Sequence, residues 1–356
     1  MSRYWSELVD TLTPYVPGEQ PRAENLVKLN TNESPYPPSP RVVEAIRTVT
    51  GDMLRLYPDP QSMELKRAYG RRNGLEAAQV FVGNGSDEVL AFTFMALLKH
   101  SEPLYFPDIT YSFYPVWSEL SGVSHVVVPV SDDFSIDPAS YPEKNGGIII
   151  PNPNAPTGML MGLSDIRTLL HRSSSSVVVV DEAYIDFGGE SATQLINEFD
   201  NLLVVQTLSK SRALAGMRVG VAMGSAELIE ALERVKNSFN SYPLDVVAQH
   251  AALASLEDED YFLQSCGKVV ASRERLCARM EGLGFEVLPS SANFVFATHP
   301  RHEARDLFLA LRERGIIVRY FDKSRIDNFL RITIGTDPDC DALLLALAEL
   351  VNHQSG

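Results

Sequence analysis

The sequence predicts an α/β protein with a large domain built on a mostly parallel sheet and a smaller α/β domain after it. From about Arg41 onward, segments with helical periodicity alternate with short apolar runs. Most of these runs are continuously apolar, which is typical of strands buried on both faces of a sheet that helices cover. After about Pro243 the helical segments become longer, which indicates a second domain.

Composition limits the classes of function. The chain has 356 residues, of which 45% are hydrophobic and 22% charged, as in globular proteins of about two domains. Its 31 basic and 46 acidic residues give a formal net charge of −15, which disfavours nonspecific binding to nucleic acids or anionic membranes. Anionic small substrates are not excluded, because a few arginines can reverse the field inside a pocket.

The cysteines and the apolar runs indicate a soluble cytoplasmic protein. Cys266, Cys277 and Cys340 are too scattered for a disulfide framework or a cysteine metal site, so we expect a reducing compartment and no metal. The segment Met1–Leu12 contains charges and lacks the apolar block of a secretory signal. The longest apolar runs are too short to span a bilayer.

The elements of the first two thirds follow in order. Residues 1–38 are rich in proline and polar residues and form an arm with one amphipathic stretch, Trp5–Leu12. Ser39-Pro40 opens a helix as N-cap and first-turn residue. A strand at Val80–Val82 leads through a glycine turn into a helix from Ser86. The later predicted strands are Leu104–Phe106, His125–Val130, Gly147–Ile150, Val177–Val180, Leu202–Gln206 and Val219–Met223.

The last third predicts a smaller domain of mixed helices and strands. Its predicted helices are Ala248–Leu256, Cys266–Leu283 and Ala342–Leu350, and its predicted strands are Glu286–Leu288, Phe294–Ala297, Ile316–Arg319 and Leu330–Ile334. We therefore divide the chain into an N-terminal arm that covers the substrate as part of the small domain (1–38), a large domain (39–243) and a small C-terminal domain (244–356).

A glycine turn, Gly83-Asn84-Gly85, opens the helix that follows the strand at Val80–Val82. Such a turn presents free backbone N–H groups and the positive end of a helix dipole, which suit a phosphate. The segment lacks the third glycine of a dinucleotide fingerprint and the Gly-Lys-Ser/Thr of a P-loop. A simple strand–helix turn is the alternative interpretation of this segment alone.

Asp181 follows the four valines of Val177–Val180, and Tyr184 comes three residues later. Ligands of parallel α/β sheets bind at the carboxyl ends of the strands. A carboxylate there can pair with a protonated ring nitrogen. Helix N-capping, a frequent role of aspartate, is the alternative.

Lys210 follows the strand Leu202–Gln206 within Thr207-Leu208-Ser209-Lys210, and Arg218 comes eight residues later. A lone lysine is most often a surface residue. A lysine shielded from water can form a Schiff base with a carbonyl group, and nearby hydroxyls and an arginine would hold a dianionic phosphate.

The turn Asn152–Gly158 follows the strand Gly147–Ile150 at the same predicted edge of the sheet. Taken alone it predicts only a rigid proline-rich turn. The four segments together offer a phosphate cradle, an acid, a phenol, a lysine and an arginine. Pyridoxal phosphate requires this set of groups.

These motifs resemble the fold-type I pyridoxal-phosphate aminotransferases, and within them the histidinol-phosphate aminotransferase family. The resemblance covers nearly the whole chain and implies a large domain with a mostly parallel seven-stranded sheet covered by helices, plus a smaller α/β domain. Its markers are residues 29–36, Tyr57-Pro58-Asp59-Pro60, Gly83–Glu88, residues 110–114, Asn152–Gly158, Asp181–Tyr184, Thr207–Gly220 and residues 330–336.

The resemblance implies cofactor roles for the matching residues. Lys210 bonds to the cofactor aldehyde and then shuttles the proton, Asp181 pairs with the pyridine nitrogen, and Tyr184 donates to the phenolate oxygen. Tyr111 stacks on the ring. The implied phosphate ligands are Gly85, Ser86, Asp87, Thr207, Ser209 and Arg218.

It also implies a substrate site and a partner. Arg331 binds the anionic end of the substrates, and Arg319 lies near the phosphate of histidinol phosphate. Tyr15 and Asn32 belong to the arm that covers the substrate. Tyr57 reaches the cofactor phosphate of the partner subunit, so the resemblance implies a homodimer with shared sites.

The sequence departs from the family pattern at two places. The family commonly has an asparagine immediately before Pro-Thr-Gly, where it bonds the phenolate oxygen, but this chain has Ala155 there. Either Asn154 supplies that bond through a shifted loop, or Tyr184 makes it together with water. The lysine is followed by Ser211-Arg212 where many relatives have Ala-Phe, and no role for Arg212 follows from the sequence.

The resemblance implies transfer of the amino group of L-histidinol phosphate to 2-oxoglutarate, giving imidazole-acetol phosphate and L-glutamate in histidine biosynthesis. The alternatives are an aromatic or broad-specificity aminotransferase, a phosphothreonine-type decarboxylase on the same fold, and a noncatalytic binding or regulatory protein. Lys210 and Asp181 argue against lost catalysis, and the acidic chain has no room for a basic DNA-binding domain.

Overall fold

A computed structural model describes residues 3–16, 18–21 and 26–353. Its strands, in chain order, are β1 (Val27–Lys28), β2 (Val80–Asn84), β3 (Leu104–Pro107), β4 (His125–Val128), β5 (Ile148–Pro151), β6 (Val178–Asp181), β7 (Leu202–Thr207), β8 (Val219–Gly224), β9 (Glu286–Val287), β10 (Phe294–Thr298), β11 (Ile316–Ile317), β12 (Arg319–Tyr320) and β13 (Leu330–Thr333).

The helices include each one that the sequence predicts, together with others that it does not. They are α1 (Glu7–Thr11), α2 (Pro40–Arg47), α3 (Gly51–Leu54), α4 (Met63–Asn73), α5 (Gly85–Ala96), α6 (Tyr114–Ser121), α7 (Leu163–Arg172), α8 (Ala226–Phe239), α9 (Val246–Glu257), α10 (Glu259–Gly282), α11 (Ala304–Glu313) and α12 (Asp337–His353). The predicted N-cap of α2 is confirmed, since the Ser39 hydroxyl accepts the N–H of Arg41 at 3.1 Å. The predicted strand Ile316–Arg319 is divided into β11 and the start of β12.

The large sheet has seven strands in the order β2-β8-β7-β6-β5-β3-β4. β3 to β7 run parallel, β8 runs antiparallel to β7, and β2 runs antiparallel to β8. β2 therefore has the same direction as β3 to β7, and β8 alone is reversed. The carboxyl ends of six strands and the amino end of β8 meet at one edge, which we call the carboxyl edge.

Both faces of the central strands are buried, as the apolar runs predict. Val178 and Val180 of β6 pack in one hydrophobic cluster, while Val179 packs in a second cluster on the opposite face. The prediction is wrong for β4, where Val126 and Val127 are exposed. β4 is one of the two edge strands of the sheet, and its exposure depends on which elements cover that edge rather than on its own composition, since the other edge strand, β2, is largely buried.

The small domain contains a four-stranded antiparallel sheet in the order β12-β13-β10-β9. The N-terminal segment joins this domain, because β1 pairs in parallel with β11. Side chains of α9 pack with the large sheet, and those of α10 pack with the small one. The boundary at 243/244 stays a prediction. Residues 1–2, 17, 22–25 and 354–356 of the predicted divisions lie outside the described residues.

Gly220 lets β8 approach the turn between β2 and α5. A Cβ added at Gly220 would lie 2.3 Å from the carbonyl carbon of Gly85 and 2.3 Å from the nitrogen of Ser86, both backbone atoms. We expect Gly220→Ala to lower the free energy of unfolding by about 2 kcal/mol, because the backbone must shift. Gly216→Ala is the matched control, since a Cβ there meets nothing within 4 Å. Equal free energies of unfolding for the two variants in urea would contradict this account of the contact.

Candidate active site

A cavity of about 200 Å³ opens at the carboxyl edge of the large sheet, facing the small domain and the N-terminal arm. It brings together most of the site residues that the sequence predicts. Those that line it are Tyr15, Asn32, Ser86, Asp87, Tyr111, Asp181, Tyr184, Thr207, Ser209, Lys210, Arg218, Arg319 and Arg331. Four of these side chains are cationic and two are acidic, so the site reverses the sign of the chain's net charge.

Three predicted residues, Gly85, Asn154 and Tyr57, do not line the cavity, although Gly85 immediately precedes the lining residue Ser86. The Asn154 amide donates to the carbonyl of Ile109 at 3.0 Å, and Ala155 lines the wall instead. Cofactor binding by Asn154 therefore stays a prediction, and the position of this side chain does not support it. Tyr57 lies on the outer surface of its own chain with 82% of its area exposed.

The first turn of α5 and the start of β8 form one end of the cavity. Gly85 has a φ of +80°, and a Cβ there would lie 2.6 Å from Nη2 of Arg218. Arg218 pairs with the Asp87 carboxylate at 2.9 Å, and Thr207 donates to the hydroxyl of Ser209 at 3.0 Å. Free N–H groups at a helix N-terminus, hydroxyls and an arginine suit a phosphate.

Asp181 ends β6 at the other side of the cavity and is 5% exposed. Its Oδ2 accepts the hydroxyl hydrogen of Tyr114 at 3.0 Å, while its Oδ1 is buried without a hydrogen-bond partner. Burial raises the pKa of this carboxyl group from 3.8 to about 6, although the Tyr114 hydrogen bond opposes the shift. The N-cap alternative is not observed, since the next helical turn, Ile185–Phe187, has Tyr184 as its N-cap.

Lys210 lies three residues beyond the end of β7, and its ammonium group is free of close carboxylates. Its Nζ donates to the carbonyl of Thr31 at 3.2 Å and lies 5.7 Å from the centre of the Tyr184 ring. Within the described ranges it forms no ion pair. An amine held at a carboxyl edge without a counterion is available to a carbonyl compound.

The two predicted substrate arginines lie at the small-domain wall of the cavity, on β12 and β13. Arg331 donates to the carbonyl of Asn30 at 2.8 Å, and its Nε is buried without a partner. Neither Arg319 nor Arg331 forms an ion pair in the part of the chain that the structure describes. Burial, and more weakly the charge of Arg319, lower the pKa of Arg331 below its ordinary value.

Aromatic rings take the place of carboxylates beside these arginines. The Phe321 ring centre lies 5.3 Å from the Cζ of Arg319 and 5.5 Å from that of Arg331, and Phe294 lies 5.4 Å from Arg331. Such contacts stabilise a cation without neutralising it. The two charges are therefore left for an anionic ligand.

The N-terminal arm is fixed to both domains beside the cavity. The Asn32 amide donates to the hydroxyl of Tyr184 at 3.0 Å, and the Thr333 hydroxyl donates to Asn32 Oδ1 at 2.9 Å. Asn32 has a φ of +55°, which an asparagine tolerates better than most residues. The Tyr15 ring stacks on Phe113 at 4.4 Å.

Sequence reasoning missed Tyr114 and Phe321, and left Arg212 without a role. Tyr114 opens α6 and contacts Asp181 across 67 positions, so no local pattern reveals it. Phe321 could have been found from its i, i+2 relation to Arg319. Arg212 lies outside the cavity, where it is buried against the Phe262 ring at 3.9 Å and pairs with Glu259 at 3.3 Å.

The groups around the cavity fit pyridoxal phosphate. The buried Oδ1 of Asp181 has no hydrogen-bond partner among the described residues and would accept the N–H of a protonated pyridine ring. The glycine turn of α5 would hold the phosphate, and Lys210 would bond to the aldehyde. Tyr111 lines the same space with its aromatic ring.

The raised pKa of Asp181 predicts how stability depends on pH in protein freed of cofactor. Between about pH 4 and pH 6 the folded chain binds a proton that the unfolded chain has released, so the free energy of unfolding falls as pH rises through this range. We expect Asp181→Asn, whose amide oxygen still accepts from Tyr114, to unfold with a free energy higher by about 2 kcal/mol at pH 7.

Denaturant titrations of the wild type and Asp181→Asn at pH 4 and pH 7 check this prediction. The two free energies of unfolding should be nearly equal at pH 4, which is the internal control. A variant less stable than the wild type at pH 7 would contradict the assignment of a costly buried charge to Asp181.

Among the helices of residues 3–16, 18–21 and 26–353, none is long and apolar enough to cross a membrane.

Comparisons with known proteins agree with the geometry. Residues 24–347 match the family described as aminotransferase class I and II. The chain is 63% identical over 354 residues to histidinol-phosphate aminotransferase 2 of Dechloromonas aromatica, covering 98% of this chain and 99% of that protein. It is 60% identical over 355 residues to histidinol-phosphate aminotransferase 1 of Hydrogenovibrio crunogenus, with both chains fully covered.

A solved structure also resembles the whole chain. The crystal structure of histidinol-phosphate aminotransferase from Sinorhizobium meliloti, in complex with pyridoxal-5'-phosphate, superimposes with a TM-score of 0.88 at 25% identity and covers 100% of this chain and 99% of its own. With the seven-stranded sheet, this agreement confirms the predicted fold-type I architecture. The chain belongs to the aminotransferase class I and II family of pyridoxal-phosphate enzymes, within which it is a member of the histidinol-phosphate aminotransferases.

Proposed function

We propose that the chain transfers the amino group of L-histidinol phosphate to 2-oxoglutarate and forms imidazole-acetol phosphate and L-glutamate. The observation that carries the proposal is the pair of arginines, Arg319 and Arg331, which face the cavity without carboxylate partners. Two unneutralised guanidinium groups suit a phosphate dianion, and their fork-shaped donors also suit a carboxylate. The same wall would therefore serve both substrates.

Bound pyridoxal phosphate would supply an electron-withdrawing ring that stabilises negative charge at the carbon which loses its proton. The chain would hold it at three points. The first turn of α5 with Thr207, Ser209 and Arg218 would hold the phosphate, Asp181 would accept the ring N–H, and Lys210 would bond to the aldehyde.

The chain's own groups would then move the proton. Once the amino group of the substrate has replaced it at the aldehyde, the freed amine of Lys210 would take the proton from the α-carbon of the substrate, because no carboxylate of the described residues pairs with that amine. Asp181 would stay ionised beside the ring N–H, which stabilises the negative form of the carboxylate. The Tyr184 hydroxyl, which accepts from Asn32, is left with its own hydrogen to donate to the cofactor oxygen.

We further propose a homodimer in which Tyr57 contacts the cofactor phosphate of the partner subunit. Tyr57, Leu54 and Leu56 are exposed on the single chain, as are Phe239 and Tyr242, and the Tyr57 ring stacks on that of Tyr242. An exposed apolar patch of this kind supports an interface. We also propose a cytoplasmic location, which the three free cysteines support.

A half-reaction tests the substrate. The holoenzyme is mixed with one amino donor at a time and no 2-oxo acid, and its visible spectrum is followed. We expect histidinol phosphate to react faster than phenylalanine, tyrosine, glutamate or phosphothreonine. A faster reaction with an aromatic amino acid, or release of carbon dioxide from phosphothreonine, would contradict the proposal.

Removing one arginine tests the anion site. We expect Arg319→Met to raise the concentration of histidinol phosphate that gives half the maximal rate by at least about tenfold. The corresponding concentration of phenylalanine should change much less, because phenylalanine has no phosphate group to lose a charge-assisted hydrogen bond with Arg319. Arg234→Met is the control, since Arg234 is exposed on α8 and pairs only with Glu230. Equal effects of Arg319→Met on both donors would refute a phosphate-binding role.

Hybrid dimers test the shared site. Tyr57→Ala and Lys210→Ala subunits are each expected to give little activity. When they are unfolded and refolded together, one site of each hybrid regains both intact residues, so about one quarter of wild-type activity should return. Each variant refolded alone is the control. No recovery in a mixture shown to contain hybrids would rule out Tyr57 as a residue of the partner's site.

A further inference from the structure

Lys236 is a lysine of α8 with only 1% of its area exposed, and the proposed reaction does not use it. Its Nζ lies 2.7 Å from Oε2 of Glu233. The same carboxylate binds a second buried lysine, since Nζ of Lys66 lies 2.6 Å from Glu233 Oε1. Two buried ammonium groups thus share one carboxylate, although burying an ammonium group is costly unless its hydrogen bonds are satisfied.

The two lysines differ in one contact. Nζ of Lys236 also donates to the carbonyl oxygen of Pro60 at 2.9 Å, whereas Lys66 has no bond to that segment. Pro60 belongs to the residues 57–62 between α3 and α4, which we call the Tyr57 loop. A second side chain holds the same loop, because the Gln249 amide donates to the carbonyl of Asp59 at 3.1 Å.

The segment after Lys236 contacts both the Tyr57 loop and the residue before α5. The Tyr57 ring stacks on Tyr242 with ring centres 4.7 Å apart. The carbonyl of Pro243 accepts the side-chain amide of Asn84, which immediately precedes the first turn of α5. Residues 236–243 therefore connect the Tyr57 loop to the phosphate end of the chain's own cavity.

We propose that Lys236 is a positioning residue whose buried ammonium group fixes the Tyr57 loop, so that Tyr57 is held ready for the cofactor phosphate of the partner subunit. The inference rests on the proposed dimer with shared sites. A purely structural lysine would stabilise the packing of α4 on α8 and leave cofactor affinity unchanged. The pair Lys236 and Lys66 separates these two roles, because both bind Glu233 and only one holds the loop.

The experiment compares Lys236→Met with Lys66→Met in the full-length holoenzyme. Three quantities are measured: the dissociation constant of pyridoxal phosphate, amide hydrogen exchange in residues 57–63, and the free energy of unfolding. We expect Lys236→Met to raise the dissociation constant and the exchange rate of the loop by about tenfold each, from the loss of one charge-assisted hydrogen bond. Lys66→Met should leave both within about twofold. Lys236→Arg, which keeps the donors, should restore most of the affinity.

Equal changes of the dissociation constant in Lys236→Met and Lys66→Met, or unchanged exchange of the loop in Lys236→Met, would overturn the proposal. Tyr57→Phe, measured in the same titration, distinguishes the premise from the inference. If Tyr57→Phe raises the dissociation constant and Lys236→Met does not, the shared site stands and the role of Lys236 fails. If Tyr57→Phe has no effect, the shared site and the inference both fail.

Discussion

Charge without a full set of partners, placed at the carboxyl edge of the large sheet, is the constraint on which the site depends. Asp181 keeps one carboxylate oxygen unsatisfied, and Arg319 and Arg331 face the cavity beside aromatic rings rather than acids. Each arrangement destabilises the empty protein, because the buried Asp181 carboxylate lacks a full set of partners and the two half-buried arginines repel each other. Each arrangement becomes favourable once a ligand of opposite charge is bound. The empty protein is therefore less stable at this edge, and its affinity for the ligand is higher.

The strand order makes that concentration of charge possible. Parallel strands bring the end of β6 and the turn after β7 to one edge, and the single reversed strand, β8, delivers Arg218 there from its amino end. β2 brings the N-terminus of α5 to the same place. The small domain and the arm then close the cavity from the opposite side, through Arg331 and Asn32. Residues from six separate segments thus act on one ligand.

Much of the fold and the site could be predicted from the sequence, because the signals are local. Buried strands appear as runs such as Val177–Val180, and Asp181 and Lys210 lie at the end of a strand or within three residues of it. The remainder depends on distant contacts. The exposure of β4 depends on which elements cover its edge of the sheet, and the bond of Tyr114 to Asp181 joins residues 67 positions apart. The burial of Arg212 depends on Phe262 and Glu259 of α10. The position of Asn154 depends on how one turn packs against Ile109.

The most direct test of the account is to trap the cofactor on the chain. The holoenzyme is reduced with borohydride, which makes a carbonyl–lysine linkage permanent, and the modified peptide is identified by mass spectrometry. The account predicts one modified residue, Lys210, and no modification of the buried Lys66 or Lys236. Modification of another lysine, or reduction that leaves the cofactor unattached, would contradict the placement of the active site at this edge of the sheet.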